Sequence, residues 1–236
     1  MMRRIACLFA FTAALLAGPA VAQTVDPAVA VRAPAASPTD KENLLLLDLS
    51  SGGRVTIWLR PDVAPKMVER IKTLARRRFY DGLAFHRVID GFMAQGGDPK
   101  GDGTGGSDLP DVKAEFNYLP HVRGAVAAAR AEAEDSANSQ FYIIFQPKLN
   151  LDKKYTVFGR VIDGMQYVDA IERGEPPSNP TRILHAYVAA DAPPAYVAAP
   201  ATQAPTLPVT LPGTRADVAA PKLAPKAPLR NPARKK

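Results

Sequence analysis

Apolar and polar residues alternate with a period of two along much of residues 41–191, which is the pattern of strands that bury one face. The first two such runs flank Ser50 to Gly53, where turn-forming glycines predict a hairpin. The predicted strands are Asn43–Leu49, Arg54–Leu59, Ala84–Ile89, Phe92–Gln95, Gly124–Ala129, Gln140–Phe145, Thr156–Ile162 and Ile183–Ala190.

Two other segments repeat apolar residues at helical spacing instead. Val68, Ile71 and Leu74 follow closely after Pro65, a residue that suits the first turn of a helix. A second short helix is predicted over Met165–Glu172. Many short strands without alternating long helices favour a mainly β fold, a closed antiparallel barrel whose ends the two helices cover.

The two ends of the chain do not have the composition of a folded domain. Residues 1–22 carry two arginines, an apolar run and the small-residue signal Ala20-Val21-Ala22, which together predict a secretory signal peptide. Residues 23–40 resemble a linker. Residues 192–236 are rich in alanine and proline and end in a basic cluster, so we predict a disordered tail after a folded domain at 41–191.

The net charge of +7 is concentrated at these ends. The tail holds seven basic residues and one acidic residue, and the signal segment adds two arginines, so residues 23–191 carry a formal charge of −1. The basic balance therefore does not predict a nucleic-acid-binding face on the domain. The single cysteine, Cys7, lies in the signal segment, which excludes disulfides and thiol catalysis from the mature chain.

Several familiar motifs fail on their context. The glycine-rich loop, Gly101–Gly106, formally matches a dinucleotide fingerprint, but no helix can begin in the residues after it. We interpret it as a tight surface loop whose glycines let the backbone turn or approach a ligand. His86, His121 and His185 lack the spacing of a zinc site, and each is expected to be a structural histidine with satisfied hydrogen bonds. No metal or cofactor is expected.

The run "FHRVIDGFMAQGGD" carries the strongest signal for function. It places Arg87 and Gln95 among apolar residues, where such groups need hydrogen-bond partners. A turn at Asp90-Gly91 lets Met93 and Gln95 share a wall with Arg87. Two interpretations stay open at this point: Arg87 reaches solvent at the rim of the sheet, or it faces a ligand.

Together with "GTGG", "SQFYI" and "LDKKYTVFGRVIDGM", this run resembles the cyclophilin family of peptidyl-prolyl cis/trans isomerases, over about residues 43–190. The compact spacing through "RRRFYDGLAFHRV" is most similar to bacterial cyclophilins, many of which are exported. The resemblance implies a closed eight-stranded antiparallel β-barrel capped by two α-helices. It also implies proline-containing polypeptides as substrates and no cofactor.

The resemblance places Arg87 at the catalytic arginine of the family. The substrate-binding positions that it implies are Phe92, Met93, Gln95, Ala129, Arg130, Gln140, Tyr142, Leu151 and Tyr155. Three of them depart from common family residues: Arg130 for asparagine, Tyr142 for phenylalanine and Tyr155 for histidine. Asn150 stands about where many eukaryotic members carry a tryptophan associated with cyclosporin binding, so cyclosporin sensitivity is not implied.

An alternative function from another class stays open. The same groove would also suit a proline-peptide binding module or a holdase chaperone with little turnover. The basic tail is either an inert extension or a weak tether to anionic surfaces. We expect a monomer that is exported, and periplasmic if the source is a Gram-negative bacterium.

Overall fold

The computed structural model describes residues 35–197, which contain eight strands and two α-helices. The strands are β1 (Leu44–Leu49), β2 (Gly53–Leu59), β3 (Arg87–Ile89), β4 (Met93–Gly96), β5 (Ala125–Ala128), β6 (Phe141–Ile144), β7 (Val157–Asp163) and β8 (Ile183–Val188). The helices are α1 (Pro65–Arg76) and α2 (Met165–Asp169). All eight predicted strands and both predicted helices are confirmed.

The signal peptide predicted at 1–22, most of the predicted linker and most of the predicted tail lie outside the described residues. Three short 3₁₀ helices, Lys41–Asn43, Leu149–Leu151 and Ala189–Asp191, complete the described elements. Between residues 35 and 197, no helix has the length and apolar character needed to cross a membrane.

Helix α1 forms where its apolar spacing predicted it, and a distant carboxylate completes its first turn. Val68, Ile71 and Leu74 are buried against the sheet. Ala64 precedes the helix and offers no side-chain cap. Glu115 instead accepts hydrogen bonds from the backbone N–H groups of Lys66 and Met67, at 3.0 and 2.9 Å. These are donors that have no partner within a helix, and the acidic group also suits the helix dipole.

Helix α2 is shorter than the predicted segment Met165–Glu172, and a side chain from outside the helix bonds to its C-terminal end. The guanidinium of Arg173 donates to the backbone carbonyl groups of Asp169 and Ile171. The terminal carbonyl groups of a helix have no donor within the helix, and Arg173 supplies one. The side chain of Ile171 still enters the core, where it is 1% exposed.

The sheet is open, so the predicted closed barrel is wrong. The strand order is β3-β4-β6-β5-β7-β2-β1-β8, which leaves β3 and β8 as edges of a half-barrel. Two isolated bridges, Val88 to Gly174 and Ala84 to Arg182, and a few backbone hydrogen bonds beside them connect the two edge regions, but within residues 35–197 no continuous ladder joins β3 to β8. The segment between Gly174 and Arg182 contains three prolines, which have no N–H to donate, so a continuous ladder cannot form there.

Apolar side chains lie on both faces of this curved sheet. The larger cluster fills its interior beneath α1 and includes Leu47, Ile57 and Phe158. A smaller cluster covers the outer face of the central strands and includes Met93, Tyr142 and other residues treated below. Because successive residues of a strand point to opposite faces, these strands serve both clusters at once. The smaller cluster is the floor of the candidate site.

Candidate functional site

Three predicted site positions, Arg87, Gln95 and Tyr142, are brought together by the register of the sheet. Arg87 pairs with Gln95 across β3 and β4, and Gln95 pairs with Tyr142 across β4 and β6. Tyr142 in turn pairs with Ala127 of β5. Residues that face one another in a sheet project to the same side. These four residues therefore form one cross-strand row, running from a cation to a small apolar residue.

The guanidinium of Arg87 is held from two sides. Its Nε donates to Glu175 Oε2 at 2.8 Å, and its Nη1 lies 3.5 Å from Gln95 Oε1. Nη2 has no hydrogen-bond partner among residues 35–197. The side chain is 43% exposed, so it lies at the surface of the sheet and contributes little to the core. The arginine is thus oriented by its neighbours and keeps donors available for a ligand.

A relay of amides continues from Gln95 to the glycine-rich loop, Gly101–Gly106. Gln95 Nε2 donates to Gln140 Oε1 at 2.9 Å. Gln140 Nε2 donates to the carbonyl oxygens of Gly103 and Gly105, at 3.0 and 2.7 Å. Both glutamine side chains are therefore fixed in orientation. The relay joins the row to a loop that is distant from it in sequence.

The glycine-rich loop is built around Asp98, which the sequence interpretation missed. Its carboxylate accepts hydrogen bonds from the backbone N–H groups of Lys100 and Gly103, at 2.8 and 2.6 Å. A side chain at Gly105 would bring its Cβ within 1.9 Å of Asp98 Oδ1. The glycine there is needed for close approach, which confirms the interpretation of this segment as a tight loop.

Beside Arg87 lies an apolar pocket of about 130 Å³. Phe92, Met93 and Leu151 provide apolar walls, and the Tyr142 ring belongs to its lining. Every predicted site residue except Gln140 lines this pocket, which is bounded by Arg87, Phe92, Met93, Gln95, Ala129, Arg130, Tyr142, Leu151 and Tyr155. Gln140 lines an adjoining cavity of about 560 Å³ that also borders Gln95 and Arg130. The arrangement sets a fixed cation at the mouth of a small apolar recess.

The hydroxyl of Tyr142 bonds to buried His121, which does not line the pocket, in a hydrogen-bond chain that continues to the partly exposed Asp152. Tyr142 Oη lies 3.1 Å from His121 Nε2, and His121 Nδ1 lies 2.8 Å from Asp152 Oδ1. His121 is fully buried. Because the carboxylate only accepts, Nδ1 is assigned the proton and Tyr142 donates to Nε2. Burial raises the pKa of the Tyr142 hydroxyl, so it stays neutral.

Arg130 and Tyr155 form one wall of the pocket by stacking. The Arg130 guanidinium carbon lies 4.7 Å from the centre of the Tyr155 ring. Its Nη1 donates to the backbone carbonyls of Ala131 and Glu132, and its Nη2 donates to that of Lys154. These bonds fix the guanidinium between its own loop and the segment that contains Lys154. Arg130 therefore shapes the groove, whereas the Nη2 of Arg87 is free to meet a ligand.

The structure adds residues that no sequence motif indicated. Glu175, His121 and Asp152 act through contacts between segments far apart in the chain, such as the 88-residue separation of Arg87 and Glu175. His121 has partners for both ring nitrogens, as expected of a structural histidine, whereas His86 has none. Over residues 35–197, no group of three or more His, Cys, Asp or Glu side chains is arranged to hold a metal ion.

Comparison with known proteins identifies the family. Residues 45–188 match the model of the cyclophilin type peptidyl-prolyl cis-trans isomerases. A Brucella suis protein named "Probable peptidyl-prolyl cis-trans isomerase" is 47% identical over 172 residues, covering 66% of this chain and 87% of the relative.

Solved structures agree with the sequence match. A cyclophilin from Hirschia baltica superimposes with a TM-score of 0.60 at 28% identity, covering 68% of this chain and 78% of the other. A cyclophilin-type isomerase from Cryptosporidium parvum, crystallised in the presence of the dipeptide Ala-Pro, gives a TM-score of 0.58 at 25% identity, covering 61% and 98%. The chain therefore belongs to the cyclophilin-type peptidyl-prolyl cis-trans isomerase family.

Proposed function

We propose that this peptidyl-prolyl isomerase accelerates X-Pro rotation in exported polypeptides, with Arg87 as its catalytic residue. Rotation about an X-Pro bond is slow because it breaks amide resonance, with a barrier of about 18–20 kcal/mol. No covalent bond has to be made or broken. The site needs only to bind the twisted amide more tightly than either planar form.

The geometry around Arg87 suits that task. As the amide twists, the prolyl nitrogen regains a lone pair that a guanidinium can hydrogen-bond, and the charge of arginine does not titrate away. Glu175 and Gln95 hold Arg87 through Nε and Nη1, which leaves Nη2 to donate to the amide or to the neighbouring carbonyl. The donor is therefore in place before the substrate arrives, so little reorganisation is needed.

The apolar pocket supplies the other half of the mechanism. Phe92, Met93 and Leu151 would hold the proline ring while the preceding carbonyl swings. A ring anchored beside a fixed donor confines the rotation to one side of the bond. The Ala-Pro dipeptide used with the Cryptosporidium parvum relative supports a proline-containing ligand for this pocket. One observation carries the proposal: Arg87 lies at this pocket, and the register of the sheet aligns it with Gln95 and Tyr142, which also line the pocket.

The test is the cis-to-trans relaxation rate of short X-Pro peptides, measured with the parent protein and with Arg87→Ala. Loss of a preorganised donor to developing charge commonly costs about 10²–10³-fold in rate, and we expect a decrease of that order. Arg77→Ala is the matched control, because Arg77 is also exposed and pairs with Asp108 at 3.5 Å, outside the lining of the pocket.

Two outcomes would change the interpretation. If a folded parent protein accelerates no peptide, the groove is a binding module or holdase without useful turnover. If Arg87→Ala abolishes the folding transition as well as the activity, Arg87 has a structural role. A folded Arg87→Ala variant with parental activity would exclude Arg87 as the catalytic residue.

The cellular setting is part of the proposal. The composition of residues 1–22 supports export, and a periplasmic location follows if the source has two membranes. N-terminal sequencing of the protein from its natural cells tests cleavage after Ala22. The tail is proposed either as an inert extension or as a weak tether to anionic surfaces. Pelleting with anionic vesicles at low salt that is lost on truncation after Asp191 would support tethering.

A further inference from the structure

Besides the cavity that Gln140 lines, another cavity of about 400 Å³ adjoins the apolar pocket at Arg87 and Gln95. We name it the His86 cavity, and its lining includes His86, Arg87, Asp102, Gly103, Glu175 and Pro176. It lies between the glycine-rich loop and the loop that follows α2. None of the substrate-binding positions implied by the family resemblance lies in this lining except Gln95. The mechanism proposed above uses this cavity only through Glu175, which holds Arg87.

His86 is a buried polar group without a partner. The residue is 6% exposed, and neither ring nitrogen has a hydrogen bond within the described chain. Burial lowers the pKa of His86, so the imidazole is neutral and offers one acceptor and one donor. Gly103 lies against the ring, since a Cβ at that position would be 4.0 Å from Nε2. A buried imidazole without partners is costly unless something in the cavity binds it.

The charged groups of the cavity favour a cation. Glu175 uses Oε2 for Arg87, and its Oε1 has no hydrogen bond within residues 35–197. Asp102 accepts from Thr104 through Oδ1, at 2.8 Å from both the backbone nitrogen and the hydroxyl, which leaves Oδ2 available. Hydrogen bonds from Thr104 lower the pKa of Asp102, so it is ionised. The lining of the cavity therefore carries two carboxylates and one guanidinium.

We propose that the His86 cavity is a subsite for a basic side chain of the substrate, a lysine or arginine close in sequence to the proline. The proposal rests on the isomerase function proposed above. A lysine ammonium has three donors and no acceptor. Glu175 Oε1, Asp102 Oδ2 and the unprotonated nitrogen of His86 are three acceptors around one space. An acidic side chain would meet two carboxylates there, and an apolar one would offer them no opposite charge.

The experiment is a scan of short X-Pro peptides in which lysine, norleucine or glutamate occupies each of the positions flanking the proline in turn. At one position we expect kcat/KM for the lysine peptide to exceed that for the glutamate peptide by about five-fold at low salt, as two exposed ion pairs would give. The preference should shrink as salt is added, because exposed charges are screened.

Glu175→Gln and Asp102→Asn should each bring that ratio toward one. The ratio is the useful reading, because Glu175 also orients Arg87 and its loss lowers the rate for every peptide. Glu134→Gln is the matched control, since Glu134 is exposed and its side chain makes no hydrogen bond within the described residues. This variant should keep the parental ratio.

The results separate failure of the subsite from failure of the proposed function. Equal kcat/KM for lysine and glutamate at every position, with norleucine peptides turned over normally, would overturn the subsite alone. A lysine preference that persists in both carboxylate variants would also overturn it. Absence of acceleration for every peptide, the norleucine series included, would overturn the proposed isomerase function and the subsite with it.

Discussion

Replacing Tyr142 by phenylalanine should cost stability much more than activity. The hydroxyl of Tyr142 donates to His121 Nε2 at 3.1 Å, and His121 is fully buried. In the variant that nitrogen keeps its place but loses its donor. A buried acceptor left without a partner costs about 1–3 kcal/mol. The aromatic ring, which lines the apolar pocket, is retained.

The magnitude can be followed through to a melting temperature. For a domain of this size, each 1 kcal/mol of unfolding free energy shifts Tm by about 2–4 °C. A loss of about 2 kcal/mol in unfolding free energy therefore predicts a decrease in Tm of about 4–8 °C. Since the hydroxyl bonds to His121, which does not line the pocket, we expect kcat/KM for an X-Pro peptide to change by less than about three-fold. Thermal unfolding and peptide relaxation at low temperature measure the two quantities on the same preparation.

Tyr155→Phe is the matched control for stability, because the Tyr155 hydroxyl makes no hydrogen bond within residues 35–197 and its ring contacts survive. Its Tm should stay close to that of the parent. The reasoning would be refuted by a Tyr142→Phe protein with parental Tm whose kcat/KM falls more than about ten-fold. That result would mean that the hydroxyl meets the peptide and not His121.

Three further perturbations test other parts of the structure. Desolvation raises the pKa of Asp152, but hydrogen bonds from the His121 backbone and ring outweigh it and lower that pKa. The ionised Asp152 therefore stabilises the fold above its unfolded pKa of about 4, and this stabilisation is lost as pH falls. Urea unfolding should show Asp152→Asn destabilised at neutral pH by about 1–2 kcal/mol and converging with the parent at low pH. Burial lowers the pKa of His86, so the parent should lose stability as pH falls below about 6.5, where the unfolded imidazole takes up a proton first; a pH series of unfolding free energies for His86→Gln should lack that slope. Gly97→Ala should lower Tm strongly, since Gly97 has φ +83° and a Cβ there would lie 2.5 Å from the carbonyl oxygen of Ser139.

The elements could be predicted because each carries its own signal. Val68, Ile71 and Leu74 of α1 share a helical face, and the strands alternate with a period of two, so local sequence suffices. Closure of the sheet could not be predicted in this way. Closure depends on whether backbone groups near Gly174 pair with β3. The prolines between Gly174 and Arg182 prevent a continuous ladder, but the sequence does not show which strand this segment lies beside.

The candidate site likewise has one part that the sequence predicted and another that it did not. The proximity of Arg87, Met93 and Gln95 follows from a turn between two adjacent strands, and the sequence predicted it. Glu175 comes to Arg87 from a loop 88 residues away, and nothing in "GEPPSNP" identifies an acidic partner for an arginine. Contacts between distant loops depend on the whole fold, so they are visible in the structure alone.

The cross-strand row makes the geometry of the site depend on the register of strands β3, β4 and β6. A slip of β4 by one residue would turn Gln95 toward the interior and bring Ala94 to the surface, because successive residues alternate faces. Arg87 would then lose its neighbour, and Tyr142 would face the wrong residue. Given the catalytic role proposed for Arg87, we expect misaligned chains to be inactive even if they are compact. During refolding, the recovery of isomerase activity would show when these three strands have reached their native register. Measurements of compactness or secondary-structure content would not show this.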